Sequence, residues 1–154
     1  MESFFIVDQK NPILEKYLHP FRYSFLYPQG DEFQDERSDA RRFVEIAKQY
    51  EIEAVVVDDY RLSWVWEYNA ERLDCPLIVL DDRDSVHHKC SMIVDAKWTG
   101  VSTSERYKDK IPENCLRLLG PEYVMLDESY AYFGKTSNCH TSKNATSIML
   151  SLGG

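Results

Sequence analysis

Residues 55 to 57 are three consecutive valines, and Asp58, Asp59 and Tyr60 follow them without a break. A strand with one wet face alternates apolar and polar side chains. Three β-branched residues in a row instead fit a strand covered on both faces, the setting of a parallel sheet. The same signature recurs along the chain as "FFIVD" at 4–8, "YSFLYP" at 23–28, "PLIVLDD" at 76–82 and "CSMIVDA" at 90–96. "EYVML" at 122–126 reads as a further short strand.

The intervening segments have helical spacing. Ile13, Leu14, Tyr17 and Leu18 follow Asn11-Pro12, a cap and first-turn pair, and Phe43, Ile46, Ala47 and Tyr50 share one face between 35 and 50. A third helical stretch runs through Trp64 to Arg72. On it Trp64 and Trp66 are two apart, so they cannot both face a core and one is expected to be exposed. Short apolar runs alternating with helices describe β-α-β units, and the predicted class is α/β with a Rossmann-like parallel sheet. Ligands of such sheets bind beyond the carboxyl ends of the strands. Asp8, Asp58, Asp59, Tyr60, Asp81 and Asp82 all follow strands, so they are expected on one edge. Each taken singly also suits a helix cap or a turn, and Tyr60 also suits a lid over the core.

Composition narrows the partners. Among 154 residues, 26 acids against 18 bases give a net charge of -8, which argues against binding a nucleic-acid backbone. No apolar run approaches the roughly 20 residues of a membrane span, and a cytoplasmic protein is expected. Cys75, Cys90, Cys115 and Cys139 are widely spaced, as free thiols of a reducing compartment are. His87, His88 and Cys90 crowd with Asp81, Asp82 and Asp84 within ten residues. Zinc sites prefer separated ligands from rigid turns, so no metal is expected, and no cofactor either. "GKTS" at 134–137 lacks the earlier glycine of a phosphate-binding loop.

"VVVDDYRLSWVWE", "CPLIVLDDRDSVHHKCSMIVDA" and "LLGPEYVML", in this order, resemble the amino-terminal domain of one family. The family is the UDP-2,4-diacetamido-2,4,6-trideoxy-β-L-altropyranose hydrolases of pseudaminic acid biosynthesis, with related spore-coat polysaccharide proteins. The matching residues are Asp58 and Tyr60, Asp81 and Asp82, His88 and Cys90, Asp95, Leu119-Gly120-Pro121 and Tyr123. The resemblance implies one half of a B-type glycosyltransferase architecture and a UDP-linked deoxy amino sugar as substrate, hydrolysed to UDP and free sugar. It implies Tyr60 as a catalytic residue and Asp58, Asp59, Asp81, Asp82, His88 and Tyr123 around the sugar. Gly153 and Gly154 would belong to the nucleotide site.

The departures from the pattern matter equally. Family members open with a strand and a Gly-x-Gly-His loop bearing the general base, whereas here "FFIVD" matches the second strand. After Leu126, Glu128 stands one position early. The expected organisation is a sugar-side domain over 1–133, a Ser/Thr/Asn-rich linker over 134–146, and the first strand and Gly-Gly turn of a second domain over 147–154. On this reading the sequence is cut from a larger enzyme or derives from a degenerate copy, and it is inactive alone. The central sheet position would then lie empty unless "SIMLSL" at 147–152 fills it, from the same chain or from a neighbour in a strand-exchanged homodimer. The competing reading is a non-catalytic sugar-binding or regulatory α/β domain. A phosphoacceptor version fits poorly, because only Asp8 follows the first strand.

Overall fold

The structure is a computed structural model that describes residues 2–28 and 31–136. The chain divides into two compact units, Met1–Val124 and Met125–Gly154, each taken by itself below. In the first unit the strands are β1 (Phe4–Val7), β2 (Arg22–Phe25), β3 (Val55–Val57), β4 (Leu77–Leu80), β5 (Met92–Asp95) and β6 (Leu116–Leu119). Its helices are α1 (Pro12–Leu18), α2 (Glu36–Ala47) and α3 (Trp64–Ala70). Short 3-10 turns cover Glu71–Leu73, Gly100–Glu105 and Pro121–Tyr123.

The helices start where the sequence provides acceptors for their first N–H groups. Asn11 Oδ1 accepts from the Ile13 and Leu14 amides, with Pro12 opening α1. Asp35 accepts from the Arg37 and Ser38 amides at the start of α2. Ser63 caps α3, and Glu36 reaches over from α2 to bind both the Ser63 amide and its hydroxyl.

All strand pairs are parallel. β1 pairs with β2, and a four-stranded sheet runs β3-β4-β5-β6 with Val55 beside Leu77, Ile78 beside Met92 and Met92 beside Leu116. This is the parallel, Rossmann-like α/β class expected from the apolar runs. α2 and α3 pack on one face of the four-stranded sheet, where Val55, Val57, Leu77, Val79 and Ile93 meet Ala40, Trp66 and Ala70. Trp66 is buried and Trp64 half exposed, as the two-residue spacing requires.

Trp66 contacts the Phe43 ring at 4.9 Å and donates its indole N–H to Asp39 Oδ2 at 2.8 Å. Asp39 is itself buried, takes the Tyr27 hydroxyl at 2.5 Å, and is pushed up from the ordinary carboxylate range by that burial. Trp66→Phe keeps most of the apolar contact but removes one donor from this carboxylate. It should cost about 1–3 kcal/mol, read as a fall in the denaturation midpoint with unchanged slope.

Two expectations need correction. Val56 is 60% exposed between its two buried neighbours, so the triple valine is not covered on both faces among the described residues. The run reflects an apolar edge strand whose second face is open. The "EYVML" stretch is not a strand. Pro121 starts a 3-10 turn, the Tyr123 amide bonds back to Gly120 O, and Gly120 at φ +119° turns the chain away from extension.

In the second unit, α4 (Glu128–Thr136) is opened by Asp127, which accepts from the Ser129 amide. It occupies the first three residues of the stretch expected as a linker. Gly153, Gly154, Cys139 and the 147–152 run lie outside the described residues.

Candidate functional site

Each strand-end acid of the sequence pattern emerges at the carboxyl edge of the parallel strands. Asp8 follows β1, Asp58 and Asp59 follow β3, and Asp81 and Asp82 follow β4. Arg61 joins two of these groups, donating to Asp8 at 2.7 Å and to Asp59 at 2.5 Å. Hydrogen bonds from Arg61 hold the Asp59 carboxyl below its usual range against the opposing effect of burial. Asp58 is exposed.

Tyr60 is 58% exposed and donates its hydroxyl to Asp82 Oδ1 at 2.7 Å. The Arg83 guanidinium lies 4.5 Å from the Tyr60 ring centre and donates to the Tyr60 carbonyl at 2.7 Å. The Asp82 hydrogen bond raises the Tyr60 pKa, so the phenol is a donor at neutral pH. These contacts bring Asp8, Asp59, Tyr60, Asp81 and Asp82 together through two arginines. The two arginines occupy equivalent places, Arg61 after Asp58-Asp59-Tyr60 and Arg83 after Asp81-Asp82.

Beneath this rim lies a buried charged network. Asp81 Oδ1 accepts from Arg83 Nε at 2.9 Å, and its Oδ2 from the Tyr107 hydroxyl at 2.9 Å and the Asp84 amide at 3.2 Å. Burial opposes ionisation of Asp81, but His88, Arg83 and Tyr107 outweigh it and hold the carboxyl far below its usual range. His88 Nδ1 contacts Glu67 Oε1 at 2.7 Å, and its Nε2 lies 3.6 Å from Asp81 Oδ2. That second distance is an ion-pair contact and too long for a hydrogen bond, and Nε2 has no hydrogen-bond partner among the described residues. Burial works against the imidazolium, yet the two carboxylates prevail and push the His88 pKa up to about 9. Glu67 also accepts from the Lys89 amide.

On the next strand Asp95 pairs with Arg106 at 2.5 Å and takes a 2.9 Å contact from the Tyr107 hydroxyl. Tyr107 is thereby shared between Asp81 and Asp95; burial and the two carboxylates raise its pKa well above the ordinary value. Arg106 also donates to the Asp82 carbonyl at 2.9 Å, tying this network to the rim. Three carboxylates (Glu67, Asp81, Asp95) thus face three cations (His88, Arg83, Arg106), the balance that buried charges require.

The structure therefore separates the candidate residues by exposure. Asp58, Tyr60 and Asp82 reach solvent, Asp59 is partly covered, and Asp81 and His88 are buried inside the network. Tyr123 is partly exposed on its 3-10 turn and makes no side-chain hydrogen bond to the others among the described residues. Sequence reasoning missed Glu67, Arg61, Arg83, Arg106 and Tyr107. Among the described residues no cluster of three or more His, Cys, Asp and Glu side chains is arranged to hold a metal ion. Cys90 and Cys115 are buried free thiols with sulfurs 3.6 Å apart. No described helix is long and apolar enough to cross a membrane. Compared with known proteins, the chain matches no family model and no curated protein.

Proposed function

We propose that the carboxyl edge is the sugar-binding side of a nucleotide-sugar hydrolase acting on a UDP-linked deoxy amino sugar, and that this chain alone binds the sugar without turning it over. The observation that carries the reading is the convergence of Tyr60, Asp58, Asp59 and Asp82 with Arg61 and Arg83 beyond the ends of parallel strands. Carboxylates and guanidiniums side by side offer acceptors and donors within a few ångströms, which suits hydroxyl and amide substituents on a ring. The resemblance of the strand-end motifs to the pseudaminic acid hydrolases supplies the substrate class and implies a cytoplasmic protein.

The absence of turnover follows from the protonation states. Water attack on the anomeric carbon needs a group able to accept a proton, and such a base contributes about 10²–10⁴ in rate. His88 is charged at neutral pH and sealed in the network, so it accepts none. Tyr60 is held as a phenol. The same arrangement favours the second reading, a sugar-binding domain without catalysis of its own.

The test is a titration of the chain with the UDP-sugar, with the free sugar and with UDP alone, followed by amide and tyrosine-ring NMR shifts and by free UDP release. The expected result is saturable shifts at Tyr60 and Asp82 with both sugar ligands, absent with UDP, and no UDP release. Turnover near 1 s⁻¹ or faster, in the usual enzyme range, would overturn the inactivity. Shifts with UDP alone would overturn the sugar-side placement. Tyr60→Phe should weaken the sugar response while leaving the melting temperature within about 2 °C, as exposed substitutions do. A stability loss with unchanged binding would make Tyr60 a lid on the fold instead.

A further inference from the structure

Among the described residues β1 pairs only with β2 and β3 only with β4, so each has one unpaired edge. The winding shows where those edges lie. The chain steps outward from β1 to β2, returns along α2, and then winds the other way from β3 to β6. In a doubly wound sheet that reversal flanks a central strand. Here no described strand occupies the position between β1 and β3.

Width and chemistry both fit a single missing strand. Arg61, just past β3, reaches Asp8, just past β1. An arginine and an aspartate joined head to head span at most about 13 Å, while one strand inserted between two others needs about 9.6 Å. The Val55 amide bonds to Pro76 O on the β4 side, so the alternation of a parallel ladder turns the Val56 N–H and C=O toward the opening. The Leu26 amide bonds to Val7 O on the β2 side, which by the same alternation turns Phe4 and Ile6 toward it from across. Neither edge carries the proline, charge or bulge that normally blocks strand addition.

We propose that the edges of β1 and β3 form an acceptor slot for one extended segment of another polypeptide, lying parallel to both. The segment has four or five apolar residues followed by a lysine or arginine. The apolar character matches Phe4, Phe5, Ile6 and the valines of β3. The basic residue matches the carboxyl mouth of the slot, where Asp8, Asp58 and Asp59 stand against the single cation Arg61. Backbone pairing on two sides supplies the affinity and the flanking charge supplies the direction. The chain's own 147–152 run ends on Gly153-Gly154 and has no such base. The inference does not rest on the sugar-binding reading.

The test uses the full 154-residue chain and a labelled, end-blocked peptide TVIVVK, with TVIVVE and TVIPVK as controls. Anisotropy should saturate with TVIVVK, weaken about fivefold with TVIVVE, the size of one exposed charge contact, and vanish with TVIPVK. Amide exchange at Ile6 and Val56 should slow at least about tenfold on binding. Val56→Pro removes a donor that faces the slot and spares the β3–β4 ladder, so it should abolish binding in a chain that still melts cooperatively. If that variant does not fold, Val56→Lys, a charged edge blocker, serves in its place. No saturable binding would overturn the proposal. So would slow exchange at Ile6 and Val56 in the free chain that speeds up on Leu150→Pro, which would assign the slot to the chain's own end. A concentration-dependent dimer that competes with the peptide would assign it to a second copy, and would overturn it equally.

Discussion

Glu67→Ala should lower the melting temperature by roughly 10–15 °C, the largest effect expected of any single substitution in this chain. Glu67 is fully buried, faces His88 at 2.7 Å and accepts the Lys89 amide. Alanine would leave a buried imidazolium with only Asp81 beside it, and that carboxylate is already shared with Arg83 and Tyr107. Breaking a buried pair by removing one partner costs about 3–5 kcal/mol, because the desolvated charge that remains has lost its compensation. A domain of this size loses about 3 °C per kcal/mol. Glu67→Gln should cost less, since an amide oxygen still accepts from the imidazolium. Equal losses for the two variants would show that volume, and not charge, is what Glu67 contributes. A shift below about 3 °C in both would show that the network is dispensable.

The second large effect is on pH dependence. The folded pKa of His88, about 9, lies above the ordinary value of 6.5, so the fold favours the charged ring. Its contribution is fully present below about pH 6.5 and is lost as pH rises through 9. At 1.36 kcal/mol per pKa unit the loss is about 3 kcal/mol. Urea unfolding at pH 6 and at pH 9.5 should show it as a lower midpoint at the higher pH. His88→Gln should flatten that difference while destabilising the protein at pH 6. If the variant keeps the full slope between the two pH values, the titrating group is another one, with the Cys90–Cys115 thiol pair the next to test.

How the sequence disclosed these features depends on the kind of pattern each residue belongs to. The parallel sheet was legible because Val55–Val57, Leu77–Leu80 and Met92–Val94 are apolar runs too short for helices and bounded by acids. Asn11 and Asp35 were readable as helix starts for the same local reason, a side-chain acceptor placed against free amides. The edge location of Asp8, Asp59, Tyr60 and Asp82 followed from strand polarity alone.

Glu67 was not legible. An acid beside two tryptophans on a helix looks solvent-facing by periodicity, and only the fold shows that it meets His88 across 21 residues of sequence. Arg106 and Tyr107 lie in a segment without regular spacing, so nothing local marks them as the partners of Asp95 and Asp81. Arg61 and Arg83 did leave a trace in the repeated order of strand, acid pair and arginine, which is the pattern to seek when strand-end acids must share a small space. The open face at Val56 was hidden because an apolar edge strand and an interior strand are written with the same residues.

The sequential order β3-β4-β5-β6 has a further consequence for how the molecule comes apart. Each rung of that ladder is closed by a connection of some tens of residues or fewer, and its core holds Ile93 and Val79 almost fully excluded from water. β1 and β2 share no backbone rung with it among the described residues. They are linked to it by α2 and by side-chain contacts such as Arg61 with Asp8 and Tyr27 with Asp39. The amino-terminal hairpin of strand, helix and strand can therefore detach as a cooperative subunit while the four-stranded half stays intact. Unfolding would begin at the amino terminus, and a protease nick there would leave a folded carboxyl-side remnant.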